Sequence, residues 1–230
     1  MSKEPRIFHI ENLLSDAEAE HLVRLAVPHV ARSQVGSTGL PGDASYSPVR
    51  TSRNTWLPRA ASAATEHIWR RFGDVLGVDE KALTPRSNAE DLQVVHYLPG
   101  QKYDAHHDWG TDDDGDASRV LTLLLYLNDV EAGGQTAFPR AKRSDDYDDG
   151  ADALPEEGLL LRPRKGSAAL FYNLLEDGNP DNLTLHAALP VIKGEKWLAN
   201  LWVWDPVLPD YLRSSPDSSA YAGGGSETEE

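Results

Sequence analysis

The chain has no cysteine, so it can form neither a disulfide nor a thiolate metal site, a composition that suits a reducing compartment. Positive charge is scarce. Lys and Arg total 22 against 37 Asp and Glu, a formal net charge of −15, which argues against a general binder of nucleic acid or of anionic membrane. No apolar run approaches the roughly 18 residues needed to span a bilayer, and MSKEPRIFHIENL carries no signal-like apolar core. For the chain as written these absences favour the cytoplasm, but the compartment stays open, with the secretory pathway possible if an N-terminal segment was trimmed. Phosphate-cradling GxGxxG and Gly-Lys-Ser loops are absent, so nucleotide-dependent chemistry has no support. There is no internal repeat. What is present is 230 residues with 40% hydrophobic content, six Trp and eight Tyr, enough to bury a substantial core.

Two organisational regions emerge. In the first, PRIFHI (5–10) reads as an entering strand, and Ser15 with Glu18 forms a capping box for a helix through about Ala26, before Pro28. Ala64, Ile68, Phe72 and Leu76 recur at helical spacing and predict a second helix over about 60–76. The intervening 33–55 is rich in Gly, Ser and Pro and reads as a long surface loop. From Leu92 onward short β-rich runs follow at 92–97, 103–108, 120–127, 159–162, 168–173, 183–192 and 196–204, separated by Gly, Pro and Asp turns. This is an α+β, mainly β pattern. It fits a double-stranded β-helix, or jelly roll, supported by N-terminal helices. The expected division is one domain over 1–212, with a helical front (1–90) and a β-helix core (91–212), then a flexible acidic tail (213–230). The charged stretch 140–157 reads as a solvated insertion, with a lid over the site as its alternative.

The chemistry concentrates at His106 and Asp108, spaced as His-x-Asp in YDAHHDWG, and at His186 in LTLHAALP. On a strand, residues two apart share a face, so His106 and Asp108 can grip one ion while His107 points away. Two imidazoles and a carboxylate on one face of a metal leave positions open, the donor set of non-haem Fe(II) oxygenases. Lys196, ten residues beyond His186, shares a strand face with Leu198, Asn200, Trp202 and Trp204. A lysine aimed into a barrel among aromatics requires an anion, such as the far carboxylate of 2-oxoglutarate; taken alone it reads rather as an exposed lysine beside a turn, and the triad turns the reading to the anchor. Tyr126 and Thr122 share a face of the strand 119–130, and either hydroxyl could support that carboxylate, with Tyr97 and Thr136 adding hydrogen bonds. Other features read blandly. The DDDGD run (112–116) lacks the closing glutamate of a calcium loop, since the twelfth position from Asp112 is Leu123. His9, His21, His29 and His67 have no ligand-like spacing.

YLPGQKYDAHHD (97–108), RVLTLLLYLNDVEAGGQTAFP (119–139), RPRKGSAALFYN (162–173) and LHAALPVIKGEKWLANLW (185–202) together resemble the prolyl 4-hydroxylase catalytic domain, a branch of the Fe(II)/2-oxoglutarate dioxygenases. The resemblance covers about 5–212. It implies His106, Asp108 and His186 on iron and Lys196 on 2-oxoglutarate. It also implies O2 as cosubstrate, ascorbate as a supporting reductant, and hydroxylation of a peptidyl proline at carbon 4 with release of succinate and CO2. The matching peptide-binding positions are Tyr103, Arg119 and Trp202. VRTSRNTW (49–56) resembles the family's substrate loop, which implies contacts from Arg50, Ser52 and Trp56. Two departures stand out: Leu189 replaces a common cysteine, and Trp204 replaces a common histidine, which bears on peptide preference rather than on the oxidation. The alternatives are the same chemistry on another residue or a small molecule, demethylation of nucleic acid, and a catalytically silent metal- or peptide-binding module. A halogenase is disfavoured because Asp108 fills the position a halide would need.

Overall fold

In a computed structural model the described residues are 2–35, 46–83, 88–109, 119–143 and 158–204. The front region contains strands β1 (Ser2–Glu4) and β2 (Ile7–Ile10), helix α1 (Asp16–Ala26), strands β3 (Ala31–Arg32) and β4 (Arg53–Leu57), and helix α2 (Ala63–Leu76). Strands β5 (Leu92–Tyr97), β6 (Tyr103–His106), β7 (Arg119–Tyr126), β8 (Ala132–Gly133), β9 (Thr136–Phe138) and β10 (Lys142–Arg143) follow. The series closes with β11 (Leu159–Leu161), β12 (Ala168–Tyr172), β13 (His186–Ala188), β14 (Val191–Lys193) and β15 (Lys196–Trp204).

The large sheet runs β10-β1-β2-β12-β7-β15-β5-β4-β3, and a smaller one runs β11-β9-β13-β6. The large sheet is covered on both faces, which explains the near-continuous apolar run of LTLLLYL rather than a clean alternation. Leu121, Leu123, Leu125 and Leu127 face the helices and pack in one cluster with Leu22, Ile68, Trp69 and Phe72. Leu124 and Tyr126 face the other way, into a cluster with Phe138, Leu159, Leu161 and Phe171 between the sheets. A third cluster of Val95, Tyr97, Ala188, Val191 and Leu198 closes the remaining side. The fold is the expected two-sheet jelly roll with supporting helices.

Differences from the expected elements have local causes. The front ninety residues are not simply helical, because β2 pairs with β12 and β4 with β5, extending the large sheet at both edges. Within the expected loop 33–55, Arg53–Leu57 is a strand. RNTWL lacks an apolar run, and its backbone finds its partners in distant β5 and in β3. The predicted strand 183–192 is broken into a 3-10 turn (Asn182–Thr184), β13 and β14, with Pro190 between the strands. Helix α2 begins at Ala63 rather than 60, after a separate 3-10 turn over Arg59–Ala61. Segments 112–116, 213–230 and most of 140–157 lie outside the described residues.

The capping box at α1 is present in both directions: Ser15 Oγ accepts from the Glu18 amide at 3.3 Å, and Glu18 Oε2 accepts from the Ser15 amide at 2.8 Å. The Glu18 carboxylate also takes both terminal nitrogens of Arg71 on α2 at 2.9 Å, tying the two helices together. Arg71 is the main cause that lowers the Glu18 carboxyl to about 2. Its folded pKa is depressed, so the stabilisation is present above the unfolded value and is lost as pH falls toward 2. Substituting Glu18→Gln keeps a capping acceptor but removes the charge. Urea unfolding should show the variant about 1 kcal/mol less stable at neutral pH, allowing for solvent screening. The two proteins should converge as pH drops from 4.5 to about 2; an undiminished gap at low pH would contradict the ion-pair account.

Candidate metal centre and substrate groove

Strands β6 and β13 pair antiparallel with His186 directly opposite His106, which brings the two imidazoles to a centroid separation of 4.3 Å. Asp108 does not sit on the strand, as the two-residue spacing suggested. Strand β6 ends at His106, and Asp108 lies in the bend that follows. Its Oδ1 is 3.6 Å from His106 Nε2 and 3.7 Å from His186 Nε2. These separations are too long for hydrogen bonds, and they leave the three donor atoms facing a common point where one ion could sit. The three donor atoms lie within 4.8 Å of one another, and this is the one such cluster among the described residues.

The remaining polar atoms of the three side chains are occupied in a way that aims the free ones inward. His106 Nδ1 lies 2.8 Å from the Asp104 carbonyl and His186 Nδ1 lies 3.0 Å from the Thr184 carbonyl. Each Nδ1 therefore carries the hydrogen, leaving each Nε2 lone pair toward Asp108. Asp108 Oδ2 accepts from Thr122 Oγ1 at 2.8 Å and from Trp202 Nε1 at 3.0 Å. Asn173 Nδ2 donates to the same threonine hydroxyl at 3.0 Å, fixing the direction of its proton. Burial, then the neighbouring His186, holds the His106 imidazole well below its ordinary pKa. Burial opposes ionisation of Asp108, but the two histidines, Arg119 and the Trp202 N–H outweigh it and keep the carboxyl low. Two neutral imidazoles and an ionised carboxylate are the donor set a divalent iron requires.

Lys196 opens β15 opposite Tyr97 and is fully buried. Its ammonium reaches Thr136 Oγ1 at 3.4 Å and lies 5.6 and 5.7 Å from the Tyr97 and Tyr126 ring centroids. Tyr126 Oη donates to Thr136 Oγ1 at 2.9 Å. No carboxylate pairs with Lys196 among the described residues, and burial alone pulls its ammonium down to about 7. Burial also pushes the Tyr97 phenol up to about 12, so it remains a donor. A buried cation with hydroxyls and no counter-charge fits a ligand that brings a carboxylate. Thr122 does not belong to this end. Its hydroxyl serves Asp108, because the strand places it opposite Trp202 rather than near Lys196.

A cavity of about 710 Å3 runs from the triad to the front region. Thr136, Tyr97 and Leu198 line its inner end, with Lys196 just behind Thr136. Tyr103 stacks on His106 at 3.7 Å, and Arg50 lies 4.8 Å over the Tyr103 ring. On the opposite wall Trp202 is held between Trp56 at 5.8 Å and the Arg119 guanidinium at 3.9 Å. Ser52 is the exception among the expected contacts. It is fully buried, donates to Ser33 Oγ at 2.9 Å and does not line the cavity; its hydroxyl instead accepts from Arg50 Nε at 3.4 Å.

Several residues escaped the sequence reading. Glu90 is buried and takes Arg119 in a two-pronged pair at 2.6 and 3.1 Å while accepting from Trp204 Nε1 at 2.9 Å. Nothing in its local sequence signals this, since its partners are distant in the chain. Asn173 and Gln93 are likewise found only by tertiary contact. His29 lines the outer end of the cavity together with Arg32 and Tyr46, whereas His21 is satisfied by Ser62 Oγ at 2.8 Å.

Residues 92–204 match the 2OG-Fe(II) oxygenase superfamily. Over 216 residues the chain is 39% identical to prolyl 4-hydroxylase 2 of Arabidopsis thaliana, covering 88% of this chain and 68% of that protein. The crystal structure of the viral collagen prolyl hydroxylase of Paramecium Bursaria Chlorella virus-1, as its 2OG complex, is similar with a TM-score of 0.64 and 26% identity, covering 89% of this chain and 98% of that one. A prolyl hydroxylase of Trichoplax adhaerens, in complex with a hypoxia inducible factor peptide fragment, shares the fold at a TM-score of 0.60 and 16% identity, covering 86% and 83%.

Removing the Thr122 hydroxyl frees Asp108 Oδ2 from one of its two fixed donors. In Thr122→Val, affinity for Fe(II), or for Co(II) as a stable surrogate, should fall by about ten- to a hundredfold. Anaerobic metal titration would measure this, and unchanged affinity would show that Trp202 alone suffices to orient the carboxylate.

Proposed function

The chain belongs to the prolyl 4-hydroxylase family of 2OG-Fe(II) oxygenases, and from that premise we propose that it hydroxylates peptidyl proline at carbon 4, with the residues described above in defined roles. His106 and His186 hold Fe(II) through Nε2 and Asp108 through Oδ1. Lys196 anchors the far carboxylate of 2-oxoglutarate, supported by the hydroxyls of Thr136, Tyr126 and Tyr97. Residues 1–212 act as one catalytic domain, with the helices backing the sheet that carries the site. Bound together, Fe(II) and 2-oxoglutarate supply the oxidising power that uses O2, releases succinate and CO2, and places one oxygen atom on a substrate carbon.

The protein's own contribution is placement. Tyr103 and Trp202 offer aromatic walls beside the triad for a proline ring, and Trp56 extends that wall outward. Proline-rich segments are pre-ordered in the polyproline II form, so an open groove binds them with little further loss of chain entropy. Trp202 has a second task, since its indole N–H also fixes Asp108; a side chain that touches the peptide thus orients a metal ligand. Arg119 braces the far face of that indole, and Glu90 neutralises Arg119 so that no unpaired charge is buried there.

The observation that carries the reading is the pairing of three convergent donor atoms with a fully buried lysine that has no carboxylate partner among the described residues. A silent binding module would have no need of that lysine. Hydroxylation of another residue or a small molecule is the same chemistry on another occupant of the groove, and a peptide panel decides it. With Fe(II), 2-oxoglutarate and ascorbate, proline-rich peptides should gain one oxygen in step with succinate release. Asp108→Ala should lower turnover by at least about a thousandfold while the fold persists by circular dichroism. Lys196→Met should chiefly raise the KM for 2-oxoglutarate, because the lost contact is to cosubstrate. Full turnover in Asp108→Ala would overturn the triad assignment, and succinate release without peptide oxidation would redirect the search to another substrate.

A further inference from the structure

The charged groups along the cavity do not balance. Among the described residues three guanidiniums line it, Arg32, Arg50 and Arg119, against two carboxylates, Glu90 and Asp108. Neither carboxylate is available to the outer arginines. Glu90 is engaged with Arg119, and Asp108 faces the histidines with one oxygen while Thr122 and Trp202 hold the other. Filling the inner site does not alter this, because the two charges of Fe(II) offset those of 2-oxoglutarate and Lys196 offsets the carboxylate of Asp108. Two positive charges remain, on Arg50 and Arg32.

Among the described residues their contacts are with neutral groups. Arg50 donates to Gln93 Oε1 at 3.1 Å, the Gln34 carbonyl at 3.4 Å and Ser52 Oγ at 3.4 Å, and lies over Tyr103. Arg32 lies 4.9 Å over the Tyr46 ring and has no carboxylate partner among the described residues. Each guanidinium thus lies over an aromatic face, Arg50 beside the triad and Arg32 as an exposed side chain at the rim, and neither is paired with a carboxylate among the described residues. Arg50 stands one ring away from His106, and Arg32 stands with His29 and Tyr46 at the outer end.

Resting on the hydroxylase reading, we infer that this outer end is a carboxylate subsite, and that the preferred substrate is a proline-containing peptide with an acidic side chain displaced from the target proline toward Arg32. The net charge of −15 acts against such a peptide. At physiological salt, however, charges beyond about 8 Å are largely screened, so contact with the groove arginines outweighs the distant surface. A guanidinium also suits a carboxylate geometrically, with two parallel N–H donors. Arg50, packed beside the metal centre, sets the field through which the peptide enters, and Arg32 makes the discriminating contact.

The test uses the intact chain with Fe(II), 2-oxoglutarate and ascorbate. Its substrates are three matched sets of proline-rich peptides with Glu, Gln or Lys placed in turn at each position flanking the target proline. Wild type should prefer Glu over Gln by about tenfold in kcat/KM at one or two positions on one side of the proline, mainly through KM, and the preference should shrink with added salt. Arg32→Glu should invert the order to Lys over Gln over Glu at those positions, and Arg32→Gln should flatten it. A variant harmed only in folding would lose all three substrates together and keep their order. Equal use of the three peptides, or an order unchanged in Arg32→Glu, would overturn the subsite while leaving the hydroxylase reading intact. Absence of oxidation in every peptide would instead sink the reading on which the subsite rests.

Discussion

The site depends on how the carboxylate of Asp108 is divided. One oxygen is held by Thr122 and Trp202, and the other is left for the two histidines to share with an ion. Because Asp108 lies in a bend rather than on a strand, nothing in its own backbone guarantees that aim. The guarantee comes from β7 and β15, adjacent central strands whose register sets Thr122 opposite Trp202. The large sheet therefore orients a ligand that belongs to a loop, while the smaller sheet places the two imidazoles through the pairing of β6 with β13. The two sheets thus converge on one cluster of donor atoms, and the packing between them sets how those atoms are spaced.

Burial gives the remainder of the site its character. At the inner end it depresses the Lys196 ammonium and leaves it surrounded by hydroxyls, a state that a dicarboxylate ligand relieves. Arg119 is partly buried and keeps its charge, because Glu90 meets it with both oxygens. That contrast separates a cation held for structure from one kept for a ligand. Trp204 enters the same network by donating to Glu90, so the residue that departs from the resembled family still reaches the peptide wall, through Arg119 and Trp202. Trp202 is therefore double-faced: it lines the groove, and its indole N–H holds Asp108.

Much of this was legible in the sequence because it depends on local pattern. The capping box at Ser15, the helical spacing of Ile68 and Phe72, and the strands at 92–97 and 196–204 are set by neighbours a few residues apart, and they fall where expected. The His-x-Asp pair and the distant His186 stood out as donor types rarely grouped without purpose. What did not read out depends on distant pairing. Strand β4 exists because β5 accepts it, and Glu90, Asn173 and Gln93 acquire their roles only through partners far along the chain. Thr122 was placed by alternation, which gives the face a side chain occupies, not which polar group waits there, and Ser52 by resemblance of its loop, which does not show its buried bond to Ser33.

The most direct test of the central claim is an anaerobic titration of the protein with Fe(II) and 2-oxoglutarate, followed by the visible charge-transfer absorption that a chelated 2-oxo acid gives on ferrous iron. The account predicts a band that needs both components, saturates at one of each per chain, and is lost in His186→Ala. A band that survives that substitution, or none when Fe(II) and 2-oxoglutarate are both present, would contradict it.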